Sequence, residues 1–151
     1  MEYLGLGSRR ASEFKHRGFW TVFRARHPEE LARRVRNGPW FWQRWAPEAG
    51  VVVSMYVAPQ NSRVGVFFGR NEKLGAIDAK WKPFQLEIEA ALGGLRDDQR
   101  WAPGALGSIW HVNIFAEDNW PAMADWMVTE ATRFERAATE VLTRNPSAAF
   151  H

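Results

Sequence analysis

The sequence predicts an α+β fold, in which a small antiparallel sheet packs against helices. Segments 51–58 and 63–69 alternate their side chains as strands do, and the turn sequence Pro59-Gln60-Asn61-Ser62 joins them into a predicted hairpin over 51–69. Segment 109–115 alternates in the same way. Residues 119–142 carry apolar side chains at helical spacing. A length of 151 residues with 46% hydrophobic content predicts a single domain over 1–151.

The amino-terminal region is predicted to be helical after a flexible arm. Residues 1–11 contain two glycines and no periodic pattern, which is typical of an arm. Apolar residues near helical spacing follow Ser12 and predict a helix over about 14–26, with a short strand over 19–25 as the alternative. A second helix is predicted over 28–37, because Pro28 suits a first turn and Gly38 a carboxyl-terminal stop.

The predicted hairpin should cover a core on one side only. One face of its two strands is wholly apolar and consists of Val51, Val53, Met55, Val57, Val64, Val66 and Phe68. The other face mixes apolar residues with polar ones such as Ser54, Tyr56 and Arg63. This pattern is typical of an antiparallel sheet that is covered by helices on one side.

The carboxyl-terminal half supplies the covering helices. Residues 80–92 predict a helix with Pro83 in its first turn and Gly93 as its stop. Residues 94–108 contain glycine, proline and many polar residues, and they predict a connection to the strand over 109–115.

The final helix, 119–142, is predicted to start at a cap formed by Asp118 or Asn119. Its apolar stripe consists of Trp120, Ala124, Met127, Ala131, Phe134, Ala138 and Val141. The three alanines in this stripe favour close packing on the protein's own sheet. Residues 143–151 predict a frayed tail.

Several classes of function lack a signature in the sequence. There is no cysteine, which excludes thiolate metal sites and thiol nucleophiles, and the four histidines are scattered, so neither a metal nor a cofactor is expected. Glycine-rich phosphate loops, GxSxG and HExxH are absent. Asp78 and Lys80 have the spacing of an acid–lysine nuclease pair, but a helix cap is the favoured role for Asp78. No apolar run approaches the roughly 20 residues that span a bilayer, so a cytoplasmic protein is expected.

Charge is distributed unevenly along the chain. Residues 1–45 hold ten Lys and Arg against four acids, a net charge of +6, whereas residues 46–151 have a net charge of −3. A basic face of this kind attracts phosphates, in nucleic acid, in nucleotides or in anionic lipid, and a merely solvated surface is the alternative.

Two groups of residues are candidates for a ligand site. The first consists of Trp40, Trp42, Arg44 and Trp45 together with Arg34, because alternating aromatic rings and arginines can stack bases and hold phosphate. The alternative is a hydrophobic plug at one end of the sheet. The second consists of Arg70, Lys73, Lys80 and Lys82, where cations surround the start of the predicted helix. The alternative there is a mobile charged loop. Tyr56, His111 and Asn113 are predicted to share the mixed face of the sheet.

Several short segments follow one another in a recognisable order: Phe19-Trp20, Arg63-Val64-Gly65-Val66-Phe67-Phe68, Lys80, Phe84, Glu87-Ile88-Glu89-Ala90-Ala91-Leu92-Gly93, Trp101, and Trp120 to Trp126. Over roughly residues 14–142, this order resembles an uncharacterised bacterial domain that often forms the carboxyl-terminal part of restriction-endonuclease-like proteins. It implies an association with DNA processing or defence but supplies no catalytic residues. The sequence therefore leads us to expect a non-enzymatic module that binds nucleic acid or a nucleotide. The alternative is a subunit that docks on a nuclease or defence protein through exposed tryptophans.

Overall fold

A six-stranded antiparallel sheet with helices against one face makes up the described part of the protein. The computed structural model describes residues 18–59, 62–68, 82–93, 99–102 and 105–144. The strands are β1 (Arg34–Asn37), β2 (Phe41–Ala46), β3 (Val51–Ala58), β4 (Arg63–Phe68), β5 (Gln99–Ala102) and β6 (Ala105–His111). The helices are α1 (Phe19–Arg26), α2 (Gln85–Ala91) and α3 (Trp120–Thr143), and short 3-10 helices span Pro28–Arg33, Lys82–Phe84 and Glu117–Asn119.

The strands lie in the order β1-β2-β3-β4-β6-β5, and every neighbouring pair is antiparallel. The predicted hairpin over 51–69 is confirmed as β3 and β4, which pair from Val53 opposite Phe68 to Ala58 opposite Arg63. The α+β class and the long carboxyl-terminal helix are confirmed as well.

The core lies between α3 and one side of the sheet, which we call the first face. The seven apolar residues predicted for this face of the hairpin are each at most 3% exposed, and all seven stripe residues of α3 are buried. Phe68 on β4 meets Phe134 on α3 with ring centroids 5.2 Å apart, and Trp110 on β6 meets Trp126 at 5.9 Å. The apolar face of the hairpin and the apolar stripe of α3 therefore form one core. Burying each such side chain contributes about 1.5–3 kcal/mol to stability.

The helix predicted over 28–37 is wrong beyond Arg33. Residues Pro28–Arg33 form a 3-10 helix, and Arg34–Asn37 form strand β1 instead. The Gly38 N–H donates to the carbonyl oxygen of Phe41 at 3.0 Å, which closes a tight turn and lays β1 beside β2. Pairing with a neighbouring strand therefore outweighs the helical preference of the arginines, which is only a few tenths of a kcal/mol per residue.

The predicted connection over 94–108 also needs correction, because it contains strand β5 and most of β6. The predicted third strand starts earlier, at Ala105, and ends at His111 rather than at residue 115. The pairing of β6 with β4 ends next to Ser62. The Ser62 hydroxyl donates to the Val112 carbonyl and accepts from the Ile114 N–H. Serine and glycine within β6 hid the strand from a pattern that looks for apolar alternation.

The remaining helices agree with the sequence in type and differ in extent. Helix, not strand, spans Phe19–Arg26, and Gly18 precedes it with φ of 77°, a left-handed conformation that glycine adopts without strain. Helix α2 covers Gln85–Ala91, while Lys82–Phe84 before it is a 3-10 turn. The predicted arm over 1–11 and the predicted tail beyond residue 144 lie outside the described residues.

Candidate functional site

Strand β1 forms one edge of the sheet and carries two arginines on an exposed surface. All four of its residues, Arg34, Val35, Arg36 and Asn37, are exposed. Within the described part of the chain, β1 pairs with β2 alone, so its outer side has no strand partner there. This edge therefore presents two exposed arginines to solvent.

A β-bulge in β1 places the two arginine side chains on opposite sides of the sheet. Arg34 lies opposite Arg44 and Arg36 lies opposite Gln43, so two steps along β1 match a single step along β2. Without the extra residue Val35, the side chains of Arg34 and Arg36 would point to the same face. The bulge therefore puts one guanidinium on each side of the edge.

Each of these guanidinium groups lies over an aromatic ring of β2. The Arg34 guanidinium carbon is 5.9 Å from the ring centroid of Trp42, and that of Arg36 is 5.5 Å from the centroid of Phe41. Arg34 also donates to the Asn37 side-chain oxygen at 3.3 Å. Cation–π contacts hold an arginine in place without neutralising its charge. Both guanidinium groups are thus oriented by the protein while their N–H groups remain accessible.

The tryptophans of the predicted cluster lie apart from one another. Trp42 is on the first face and fully buried, with its ring stacked 6.1 Å from Trp20. Trp20 donates its indole N–H to the Pro39 carbonyl at 2.9 Å, which ties α1 to the turn before β2. Trp40 is half-buried against the core, and Trp45 is half-buried on the opposite side of the sheet. The packing arrangement therefore accounts for Trp42, and the structure does not bring the three rings together as one stacking surface.

The Arg44 side chain is buried and hydrogen-bonded within the protein, so it is not accessible to a ligand. Its side chain is 1% exposed, and its guanidinium donates to both carboxylate oxygens of Glu30, at 2.9 and 2.6 Å. A third hydrogen bond reaches the Thr132 hydroxyl of α3 at 3.2 Å. This network joins the 3-10 helix, β2 and α3, so Arg44 contributes to the core and adds nothing to the basic surface.

Two further arginines of the basic amino-terminal region are neutralised by carboxylates of α3. Arg33 pairs with Glu135, and Arg26 pairs with Asp125 through two hydrogen bonds. Burial lowers the pKa of Arg33. Hydrogen bonds, from Arg26 above all and also from His27, hold the pKa of Asp125 down at about 2.

Six arginines fall within the described part of residues 1–45, and these ion pairs divide them evenly. Arg26, Arg33 and Arg44 have carboxylate partners. Arg24, Arg34 and Arg36 have no carboxylate partner among the described residues. Ion pairs therefore neutralise half of the described arginines in this stretch, and two of the remaining three, Arg34 and Arg36, lie on β1.

Two shallow cavities border α3, and their linings carry both signs of charge. One, of about 510 Å³, is lined by Arg33, Glu48, Glu135, Arg136 and Glu140 among others. The other, of about 530 Å³, is lined by Arg133, Arg136 and Glu140 with mostly small apolar residues. Because acids accompany the arginines in both, neither favours a polyanion as the edge strand does.

The other predicted site residues either fall outside the described side chains or separate. Arg70, Lys73, Asp78 and Lys80 lie outside the described residues, and of Lys82 only the backbone is described. Tyr56 and His111 do share the second face of the sheet, which is the side away from α3. Asn113 does not, because the strand ends before it and its side-chain oxygen accepts from the Phe115 N–H.

Some partners could not be found from the sequence because they are distant along the chain. Glu30 and Thr132, which hold Arg44, are 14 and 88 residues away from it. The buried carboxylate of Glu130 on α3 accepts a hydrogen bond from the Ser108 hydroxyl of β6 at 2.8 Å and forms an ion pair with Arg133. The one local signal was the position of Glu130 among the apolar residues of α3, because a glutamate is rarely buried without a partner.

The described residues contain neither a cluster of metal-ligating side chains nor a helix that could span a membrane. In the ranges that the structure describes, no three His, Asp or Glu side chains are placed to hold a metal ion. Among the described helices, none combines the length and apolar character that crossing a bilayer requires. No protein-family model matches the chain, and comparisons with curated proteins and with solved structures find no similar protein.

Proposed function

We propose that the protein binds a phosphate-bearing partner, a nucleic acid or a nucleotide, along the edge strand β1. The observation that carries this proposal is the pair Arg34 and Arg36, which are exposed, free of carboxylate partners among the described residues, and oriented over aromatic rings. Guanidinium groups bind phosphate oxygens through paired N–H donors. One group on each side of the edge is suited to a phosphate chain that runs along the strand or crosses it.

Strand addition by another sheet is the less favoured use of this edge. Natural edge strands resist such pairing when they are short, charged or bulged. Strand β1 is only four residues long, carries two arginines and contains a bulge. Charge is therefore the main recognition feature that the edge offers.

Salt-dependent binding tests this proposal. We expect a labelled oligonucleotide, single-stranded or duplex, to bind at about 50 mM salt and to lose affinity steeply towards about 200 mM, because bound phosphates release counterions. The double variant Arg34→Gln with Arg36→Gln should lower the slope of log affinity against log salt by about 1.5–2. Fluorescence anisotropy measures both quantities.

The matched control removes two positive charges elsewhere. Arg136→Gln with Arg144→Gln changes two exposed arginines of the carboxyl-terminal helix region and has the same effect on net charge. This control should keep the wild-type salt slope. Absence of binding at low salt, or an equal loss of slope in both double variants, would contradict the proposal.

A second candidate is docking of a protein partner at the same edge. Leu31 and Val35 are exposed by 48% and 38%; Val35 lies between the two arginines in β1, and Leu31 is in the 3-10 helix that precedes the strand. The exposed tryptophans expected for such docking are not found, since all seven tryptophans with described side chains are buried or half-buried. Binding that survives about 500 mM salt and is lost on Leu31→Ser with Val35→Ser would favour a protein partner over a nucleic acid.

A further inference from the structure

The second face of the sheet carries another cationic group far from the edge strand. Strand register aligns Tyr56, Gly65 and Ile109 in one row across β3, β4 and β6, and Ala58, Arg63 and His111 in the next row. Directly opposed residues of an antiparallel pair have Cβ atoms about 4.5–5.5 Å apart, and diagonal neighbours about 7–8 Å. Arg63, His111 and Tyr56 therefore lie within reach of a single small ligand.

Arg63 lacks the partners that an arginine in a sheet ordinarily has. Within the described ranges, its guanidinium makes no hydrogen bond and no ion pair, and its Nε is buried without an acceptor. Its neighbour across the strand pair is His111, a second nitrogen donor and no counter-ion. A buried N–H without an acceptor is rare in proteins, and an absent ion or ligand is one of its recognised explanations.

Tyr56 is held flat against the sheet, with its hydroxyl over β4. A Cβ atom added at Gly65 would lie 2.3 Å from Cε1 and Cζ of the Tyr56 ring and 2.4 Å from its hydroxyl oxygen. The ring thus occupies the space that any side chain at position 65 would fill. The hydroxyl therefore lies over Gly65 of β4, one row from Arg63 and His111.

We propose that Arg63, His111 and Tyr56 form a binding site for a phosphoryl group. The guanidinium supplies charge and paired donors, while the imidazole and the phenol each supply one further donor to a tetrahedral oxyanion. Among the described residues, no carboxylate forms an ion pair with this guanidinium. This site does not depend on the edge strand, because β1 and β4 are three strand spacings, about 14 Å, apart.

The phosphoryl group has two possible sources. One is a free nucleotide, and the other is a nucleic-acid strand that crosses the second face from Arg36. Phe41, which contacts Arg36, lies directly opposite Tyr56. A crossing strand would therefore meet an aromatic row between its two cationic contacts, whereas a nucleotide needs only the Arg63 end.

The test is an amide NMR titration with inorganic phosphate, adenosine monophosphate and a short single-stranded oligonucleotide. We expect each probe to shift the backbone signals of residues 63, 65 and 111. Arg63→Gln should weaken binding of the monophosphate about tenfold or more, as loss of a charge-assisted contact does. His111→Gln changes an exposed side chain, leaves the fold intact and should weaken binding less.

The edge variant distinguishes this proposal from the one above. Arg34→Gln with Arg36→Gln should leave the signal shifts that phosphate and the monophosphate cause at residues 63, 65 and 111 unchanged, and should weaken the shifts that the oligonucleotide causes there only if a strand crosses the face. Monophosphate binding without any oligonucleotide binding would end the nucleic-acid version of the edge-strand proposal and leave this site standing. Shifts that bypass residues 63, 65 and 111, or equal affinity of Arg63→Gln and the wild type, would overturn it.

Discussion

Removal of the Arg44 side chain should destabilise the protein severely, because it leaves a carboxylate buried without its partner. Arg44 and Glu30 are each 1% exposed and share two hydrogen bonds of 2.9 and 2.6 Å. Breaking a buried pair from one side costs about 3–5 kcal/mol, since the remaining charge has no compensation. Arg44→Met should therefore lower the melting temperature by about 8–15 °C in a domain of this size.

Replacing both members of the pair should recover most of this loss. Arg44→Met with Glu30→Leu fills the site with apolar groups of similar size, and such replacements are near neutral in other proteins. Urea unfolding followed by tryptophan fluorescence gives the free energies of the wild type, the two single variants and the double variant. A coupling energy of several kcal/mol is expected from this cycle.

The control is Arg136→Leu, which alters an exposed arginine of α3 and should change stability by less than about 0.5 kcal/mol. If Arg44→Met costs no more than this control, or the two single losses simply add in the double variant, the ion pair does not have the role described. The double variant should also keep the salt-dependent binding proposed for β1, because the Arg44 side chain is buried and paired with Glu30 and so adds no charge to that surface.

Two other perturbations follow from the contacts of single residues. Asp125 has a pKa of about 2 in the fold against 3.8 for an unperturbed aspartate, so its ion pair stabilises the fold above about pH 4 and this contribution is lost as the pH falls towards 2. The Asp125 side chain is 44% exposed, which limits this contribution to under about 1 kcal/mol. In Asp125→Asn, the free energy of unfolding should therefore fall less between pH 4 and pH 2 than it does in the wild type, by up to that amount. Gly65→Ala should cost about 1–3 kcal/mol in thermal unfolding, because the new methyl group collides with Tyr56. In a Tyr56→Leu background the same substitution should cost less, and an equal cost in both backgrounds would contradict the collision.

The fold was predictable wherever one local pattern specified both the element and its buried side. Helix α3 repeats apolar residues over more than six turns, and β3 alternates over eight residues, so each pattern admits one structure. The four residues of β1 offered no such repetition. Pro28 and Gly38 are positioned as helix signals, and only the hydrogen-bonded turn after β1 and the pairing with β2 make the segment a strand.

The candidate site, like the fold, was predictable from the sequence only in part. Arginines interleaved with aromatic rings are visible in the sequence, and Arg34 was identified from them. Which arginines remain available depends on carboxylates about a hundred residues away, as in Arg26 with Asp125 and Arg33 with Glu135. Arg36 was overlooked as a site residue because a helix was expected where the bulge now exposes it.

The sequence by itself determined the α+β class, the hairpin, the long final helix and the excess of positive charge near the amino terminus, because periodicity and charge are local properties of the chain. The tertiary structure alone decided where that charge can act. Long-range ion pairs neutralise three of the six described arginines in that stretch, while register and a bulge orient Arg34 and Arg36 at the edge and bring Arg63 beside His111. Those placements follow from strand pairing and packing between distant segments, which no local pattern encodes.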